Sequence, residues 1–154
     1  MSAGSFSQIY IHIVFAVKGR QSLILPVWEN ELYKYITGIV KNKNQKMLCI
    51  NGVQDHIHFL IGLKPSCRLS DLIREIKKSS NAFIKEKGFT NLNFEWQEGY
   101  GAFSYSHFAL DNVISYINNQ KEHHRKKTFR EEYKEFLTKY QIEHKDEYLF
   151  KWLD

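Results

Sequence analysis

Ile9 to Val17 alternates in part and is rich in Ile, Val, Tyr and Phe, the pattern of a strand that Gly19 and Arg20 close. A helical repeat follows. Pro26 suits a first helical position, and Trp28, Leu32, Tyr35, Ile36, Ile39 and Val40 recur at helical spacing until the polar run Lys41 to Lys46. Lys46 to Val53 and His56 to Leu63 read as two further strands. The tight turn between them, with Gly52, Gln54 and Asp55, makes them a hairpin. After Pro65 and Ser66, a second amphipathic helix is marked by Leu69, Leu72, Ile73, Ile76, Phe83 and Ile84. Ser70 or Asp71 is expected to cap its start and Gly88 to end it.

The aromatic stretch from Phe94 to Ser106, with Gly99 and Gly101, predicts a strand, a tight bend and another strand. Leu110, Val113, Ile114 and Ile117 predict a third helix that carries both Tyr116 and Gln120. Phe129, Tyr133, Phe136, Leu137 and Tyr140 mark a fourth, before a tail containing Tyr148, Leu149, Phe150, Trp152 and Leu153. The order is strand, helix, strand, strand, helix, strand, then additions. That is the split β-α-β order of a ferredoxin-like α+β fold, an antiparallel sheet with two helices on one face. Ile57, Phe59 and Ile61 should face those helices, while His56, His58 and Leu60 face the open side. The tyrosine-bearing helix is expected near that open face. The chain reads as one domain over 1–154, with a core of about 7–127 and a helical extension of about 128–154.

Composition narrows the classes. At 43% apolar residues the chain can bury a core, and no run approaches the ~18 apolar residues of a membrane span. The first eight residues lack the pattern of a signal peptide. Cys49 and Cys67 are too few for a disulfide scaffold and lack zinc-ligand spacing. These features predict a cytoplasmic protein. The net charge of +5 is compatible with a polyanionic partner. Basic residues cluster from Arg68 to Lys87 and again from Lys121 to Arg130. Arg74, Lys77, Lys78, Lys121, Arg125 and Lys126 are candidate DNA contacts, although solvated helix faces give the same pattern. No phosphate-binding loop, dinucleotide fingerprint or Gly-x-Ser-x-Gly elbow is present, so nucleotide-fuelled chemistry has no support.

The candidate chemistry lies in two pairs. His56 and His58 share one face of a strand and can hold one metal ion together. Tyr116 and Gln120 share one face of a helix; Tyr116 offers a nucleophilic phenol and Gln120 an oxygen ligand. The sequence does not identify the base; His123 and His124 fall near Gln120, but a basic surface end of a helix is the better explanation of each.

Several stretches carry a resemblance. Asp55-His56-Ile57-His58-Phe59-Leu60 looks like the His-hydrophobic-His context of the single-tyrosine HUH transposases of small bacterial insertion sequences, including their repeat-associated relatives. Trp96-Gln97-Glu98-Gly99-Tyr100-Gly101-Ala102-Phe103-Ser104 is similar to that family's Trp-Gln-x-Gly-Tyr-Gly-Ala-Phe-Ser stretch. Tyr116-Ile117-Asn118-Asn119-Gln120 matches its Tyr-x-x-x-Gln motif. The likeness runs from about Tyr10 to Trp152. It implies that Tyr116 attacks single-stranded DNA and becomes joined to the 5′ phosphate, leaving a 3′-OH that can rejoin another strand. It also implies Mg²⁺ or Mn²⁺ on His56, His58 and Gln120, hairpin DNA partners, a homodimer and no nucleotide cofactor. A non-catalytic nucleic-acid-binding module and a related HUH nickase are the competing readings.

Overall fold

The computed structural model describes residues 4–124 and 127–142, without the side chain of His123. Four strands, β1 (Tyr10–Ala16), β2 (Lys46–Val53), β3 (His56–Gly62) and β4 (Gly101–Tyr105), form one antiparallel sheet in the order β2-β3-β1-β4. The helices are α1 (Pro26–Asn42), α2 (Leu69–Lys87), α3 (Leu110–Asn118), α4 (Gln120–His123) and α5 (Phe129–Lys139). This is the α+β arrangement expected from the element order.

Alternation along the strands decides the two faces. Ile13 and Phe15 of β1, with Ile57, Phe59 and Ile61 of β3, pack in one apolar core with Leu32 and Ile36 of α1 and Leu72 and Ile76 of α2. Leu60 packs on the other face with Leu110, Val113 and Ile117 of α3. Val14, Ala16 and Phe103 pack there against Phe129, Tyr133 and Leu137 of α5. That second face is therefore closed by α3 and α5, where an open face was expected. The apolar sides of both helices need burial, and the sheet supplies it.

The hairpin between β2 and β3 brings its backbones so close that a Cβ on Gly52 would lie 2.5 Å from the His56 carbonyl oxygen. Any side chain there would push β3 out of place. Three local expectations need correction. Arg68, without a side-chain hydrogen bond, is the N-cap of α2, in place of Ser70 or Asp71. Gly88 does end that helix in the left-handed region, donating its N–H to Ile84 and Lys85 carbonyls. Phe94 to Ser106 gives only one named strand; its first half makes an isolated bridge, Trp96 with Val17, before Gly99 turns the chain at φ 89°.

The third correction concerns the tyrosine helix. It breaks at Asn119 (φ −99°, ψ 19°), so Tyr116 lies on α3 and Gln120 opens α4. Asn51 of β2 fixes this break. Its Nδ2 donates to the carbonyls of Ile117 at 3.1 Å and Asn118 at 3.0 Å. The expected tail of Tyr148 to Leu153 lies outside the described residues. Among the described residues no helix is long and apolar enough to cross a membrane.

Candidate metal centre and tyrosine site

His56 and His58 come from one face of β3 and are both fully buried. His124 follows α4, and Glu132 comes from the first turn of α5, whose start is capped by Thr128 accepting from the Glu131 N–H. One ligand atom from each of these four residues lies within 4.8 Å of every other. The Nε2 atoms converge on the glutamate. His58 Nε2 is 3.0 Å from Glu132 Oε1, and His124 Nε2 is 3.1 Å from Oε2. His56 Nε2 lies 3.1 Å from His124 Nε2 and 3.9 Å from Glu132 Oε1.

The outer nitrogens are also held. His56 Nδ1 is 2.6 Å from Asp55 Oδ1, and Arg20 Nε reaches the other oxygen of Asp55 at 3.5 Å. His58 Nδ1 is 2.8 Å from Nε2 of His12, a third buried strand histidine. The Phe129 ring lies over His56 with centroids 3.9 Å apart.

Gln120 is fully buried. Its Nε2 donates to the Tyr116 carbonyl at 3.4 Å, and its Oε1 is buried with no donor among the described residues. The Tyr116 hydroxyl is buried and interacts with both the Glu132 carboxylate and the Gln120 side chain. Its ring meets His58 edge-on at 5.9 Å and Phe136 of α5 at 5.6 Å.

Electrostatics follow from this burial. Desolvation drives His56 down to about 4, against the opposing pull of Asp55, and drives His12 well below the usual histidine range. Burial alone would raise Glu132, but hydrogen bonds from His124 and His58 outweigh it and hold the carboxyl well below the carboxylate range. Burial, then the adjacent Glu132 charge, raises the Tyr116 phenol above its ordinary value. Neutral His56 and an ionised Glu132 are in the states that metal ligation requires. The donor set of imidazole nitrogens and a carboxylate, with the orphaned Gln120 oxygen beside it, fits a divalent ion.

Two clefts reach the cluster. One, of about 330 Å³, is lined by Tyr105, Asn112, Tyr116, Glu132, Phe136 and Lys139. The other, of about 500 Å³, is lined by Arg20, Gln54, Asp55, His124, Lys127 and Phe129 among others. The four residues singled out in the sequence, His56, His58, Tyr116 and Gln120, are thus brought to one place. Sequence reasoning missed His12 and Glu132, and it weighed His124 only as a base near Gln120 and not as a metal ligand.

The basic candidates lie apart. Arg74, Lys77 and Lys78 are on α2, across the sheet from the cluster. Lys77 is tied to the Gln97 and Gly99 carbonyls at 2.8 and 2.6 Å, and burial pulls its ammonium down to about 8. Lys121 bridges Glu29 (3.0 Å), Asn51 (3.1 Å) and the Gly52 carbonyl (3.2 Å), which ties α4 to β2 and α1. Arg125 and Lys126 lie outside the described residues.

Fold and cluster together define a class, a split β-α-β protein with a histidine–carboxylate centre beside a tyrosine. The family model described as "Transposase IS200 like" matches residues 5–120. The chain belongs to that family, and is a transposase and hence a DNA-processing enzyme. The match ends at Gln120, so His124 and Glu132 lie beyond it. Two solved structures are similar in fold. One, from Deinococcus radiodurans R1 and provisionally described as a transposase, has a TM-score of 0.59 at 18% identity and covers 78% of this chain and 96% of its own. The other, a REP-associated tyrosine transposase bound to a REP hairpin, has a TM-score of 0.56 at 18% identity and covers 77% and 72%. No match was found among curated proteins.

Proposed function

We propose that this transposase cleaves and rejoins single-stranded DNA through a covalent 5′-phosphotyrosine on Tyr116. The observation that carries the reading is the position of the buried Tyr116 hydroxyl, beside the carboxylate on which three histidines converge. His56, His58, His124 and Glu132 would hold a divalent ion, with Gln120 Oε1 a further oxygen donor. When bound, such an ion polarises a scissile phosphate and offsets the charge that develops on it. The resemblance implies Mg²⁺ or Mn²⁺. Three imidazoles among the donors favour Mn²⁺, because Mg²⁺ prefers oxygen ligands and bound water.

Tyr116 Oη would form the new bond to phosphorus as the bond from phosphorus to the 3′ oxygen breaks. The phenol's proton ends on the departing 3′ oxygen, which leaves as the 3′-OH; Glu132, held well below the carboxylate range and counted among the metal ligands, is a poor acceptor for it. The released 3′-OH can later attack the phosphotyrosine on another strand, so the bond energy is retained without a nucleotide. The cleft beside Tyr116 has Lys139 on its wall, a phosphate partner for an incoming strand. Arg74, in an exposed ion pair with Asp71 at 2.7 Å, and Lys78 stand on the outer side of α2 without the carbonyl ties that hold Lys77 and Lys121, and are the better candidates for backbone contacts at a distance from the cluster. Hairpin DNA as the partner is supported by the similar REP-bound transposase. A homodimer, a cytoplasmic location and a single domain with its helical extension complete the reading.

The test uses single-stranded DNA from both strands flanking the gene, with and without Mn²⁺, resolved on a denaturing gel. A metal-dependent protein–DNA adduct is expected with the unaltered protein and none with Tyr116→Phe, which should still bind DNA. An adduct formed by Tyr116→Phe would sink the assignment. Tight hairpin binding without any adduct would favour a non-catalytic binding protein.

A further inference from the structure

His12 has no part in the reading above, yet it is a fully buried polar side chain in the middle of an apolar strand. Strands β1 and β3 pair with Val14 opposite His58 and His12 opposite Leu60, so the two histidines are diagonal neighbours on one face. Their rings stack at 5.1 Å with 25° between planes, and His12 Nε2 lies 2.8 Å from His58 Nδ1. We propose that His12 is a positioning residue for the metal centre, holding the His58 ring so that, with an ion bound, its proton is on Nδ1 and its Nε2 lone pair is turned toward His56, His124 and Glu132.

A hydrogen bond between two ring nitrogens holds a single proton. Without an ion, His58 Nε2 faces Glu132 Oε1 at 3.0 Å and carries a proton toward it. For His58 to offer Nε2 as a ligand, the ion takes that proton's place, the proton between the two rings belongs to His58 Nδ1, and His12 accepts it through Nε2. The surroundings give His12 no other polar task. This is its one hydrogen bond among the described residues, and its Nδ1 is buried without a partner. The aromatic rings of Phe103, Tyr105, Tyr116 and Phe136 surround it, with centroids 5.4–6.2 Å away. Such an enclosure accepts an apolar ring as readily as an imidazole. A histidine here exchanges that easy packing for one contact to the back of His58.

The two strand histidines thus have unlike supports. His56 is backed by the Asp55 carboxylate and His58 by a neutral ring. A carboxylate raises a ligand's basicity but adds negative charge. A neutral support orients His58 without that charge, which leaves the centre more attractive to a phosphate.

The proposal rests on the cluster being a divalent-metal centre, and the experiment separates the two. Mn²⁺ binding is measured without DNA, by the electron paramagnetic resonance of free Mn²⁺, for the unaltered protein, His12→Phe, His12→Gln and His58→Ala, alongside thermal unfolding. His12→Phe is expected to fold and bind Mn²⁺ about 10- to 100-fold more weakly. His12→Gln, whose amide oxygen can accept from His58, is expected to recover part of that loss. Folded His12→Phe with unchanged affinity would overturn the proposal. If His12→Phe does not fold, the imidazole ¹H–¹⁵N correlations of the unaltered protein loaded with diamagnetic Zn²⁺ decide. His58 protonated on Nδ1 is the expected result, and His58 protonated on Nε2 would overturn the proposal. No Mn²⁺ binding by the unaltered protein, or full binding by His58→Ala, would instead overturn the metal-centre reading on which the proposal depends.

Discussion

The residues of the site were unequally legible. His56-Ile57-His58 declares itself because strand alternation puts both imidazoles on one side, whatever the rest of the fold does. His12 carried a weaker signal, one polar residue among Ile11, Ile13 and Val14, and its role depends on a register that pattern alone does not supply. Glu132 sits with Phe129, Tyr133 and Phe136 on the apolar side of α5, and an acid on an apolar stripe is the signal that could have found it. The buried histidines carry a pH prediction. His56 titrates near 4 in the folded protein, below its ordinary 6.5, and His12 shifts the same way. Between those values the unfolded chain binds protons that the folded one refuses, so stability is full above about 6.5 and falls as the pH drops toward 4. Asp55 and Glu132 are held below the ordinary carboxylate range, so their contributions are lost only at lower pH still. Urea midpoints at pH 7.5 and pH 5.0 therefore isolate the histidines, and a clear decrease is expected. Equal midpoints would mean that these rings are solvated in solution.

At the scale of elements, the hairpin and the first two helices were readable because period and turn chemistry are local. The break between α3 and α4 was not, since a Tyr-x-x-x-Gln spacing looks the same on a continuous helix. Its cause is distant in sequence. Asn51 on β2 binds the carbonyls of Ile117 and Asn118 and also accepts from Lys121. These contacts set where Gln120 starts its turn and aim its side chain under Tyr116. Asn51→Ala removes donors from two helix-end carbonyls at a half-buried position, a loss of about 1–2 kcal/mol. Urea unfolding is expected to show that loss together with weaker Mn²⁺ binding. Lost stability with unchanged metal affinity would show that Gln120 does not depend on the break.

On the scale of the whole molecule, the cluster joins parts of the chain that are far apart in sequence. His56 and His58 belong to β3, His124 follows α4, and Glu132 belongs to α5, beyond the segment that matches the transposase family. The face that the element order left open is closed by this extension together with α3, and helix packing over a sheet is a global outcome that local periodicity does not dictate. If the ion sits where these four residues meet, binding it ties α5 to the sheet and stabilises the entire fold. At a metal concentration 100-fold above the dissociation constant, the gain is about 2.7 kcal/mol, or a Tm rise of roughly 5–10 °C for a domain of this size. The informative quantity is the difference with and without Mn²⁺ within each variant, because removing a buried charge alters stability by itself. Glu132→Gln and His124→Ala are each expected to lose most of the rise. A rise that survives in both would confine the ion to His56, His58 and Gln120, and would leave α5 as a cover over the centre and not a part of it.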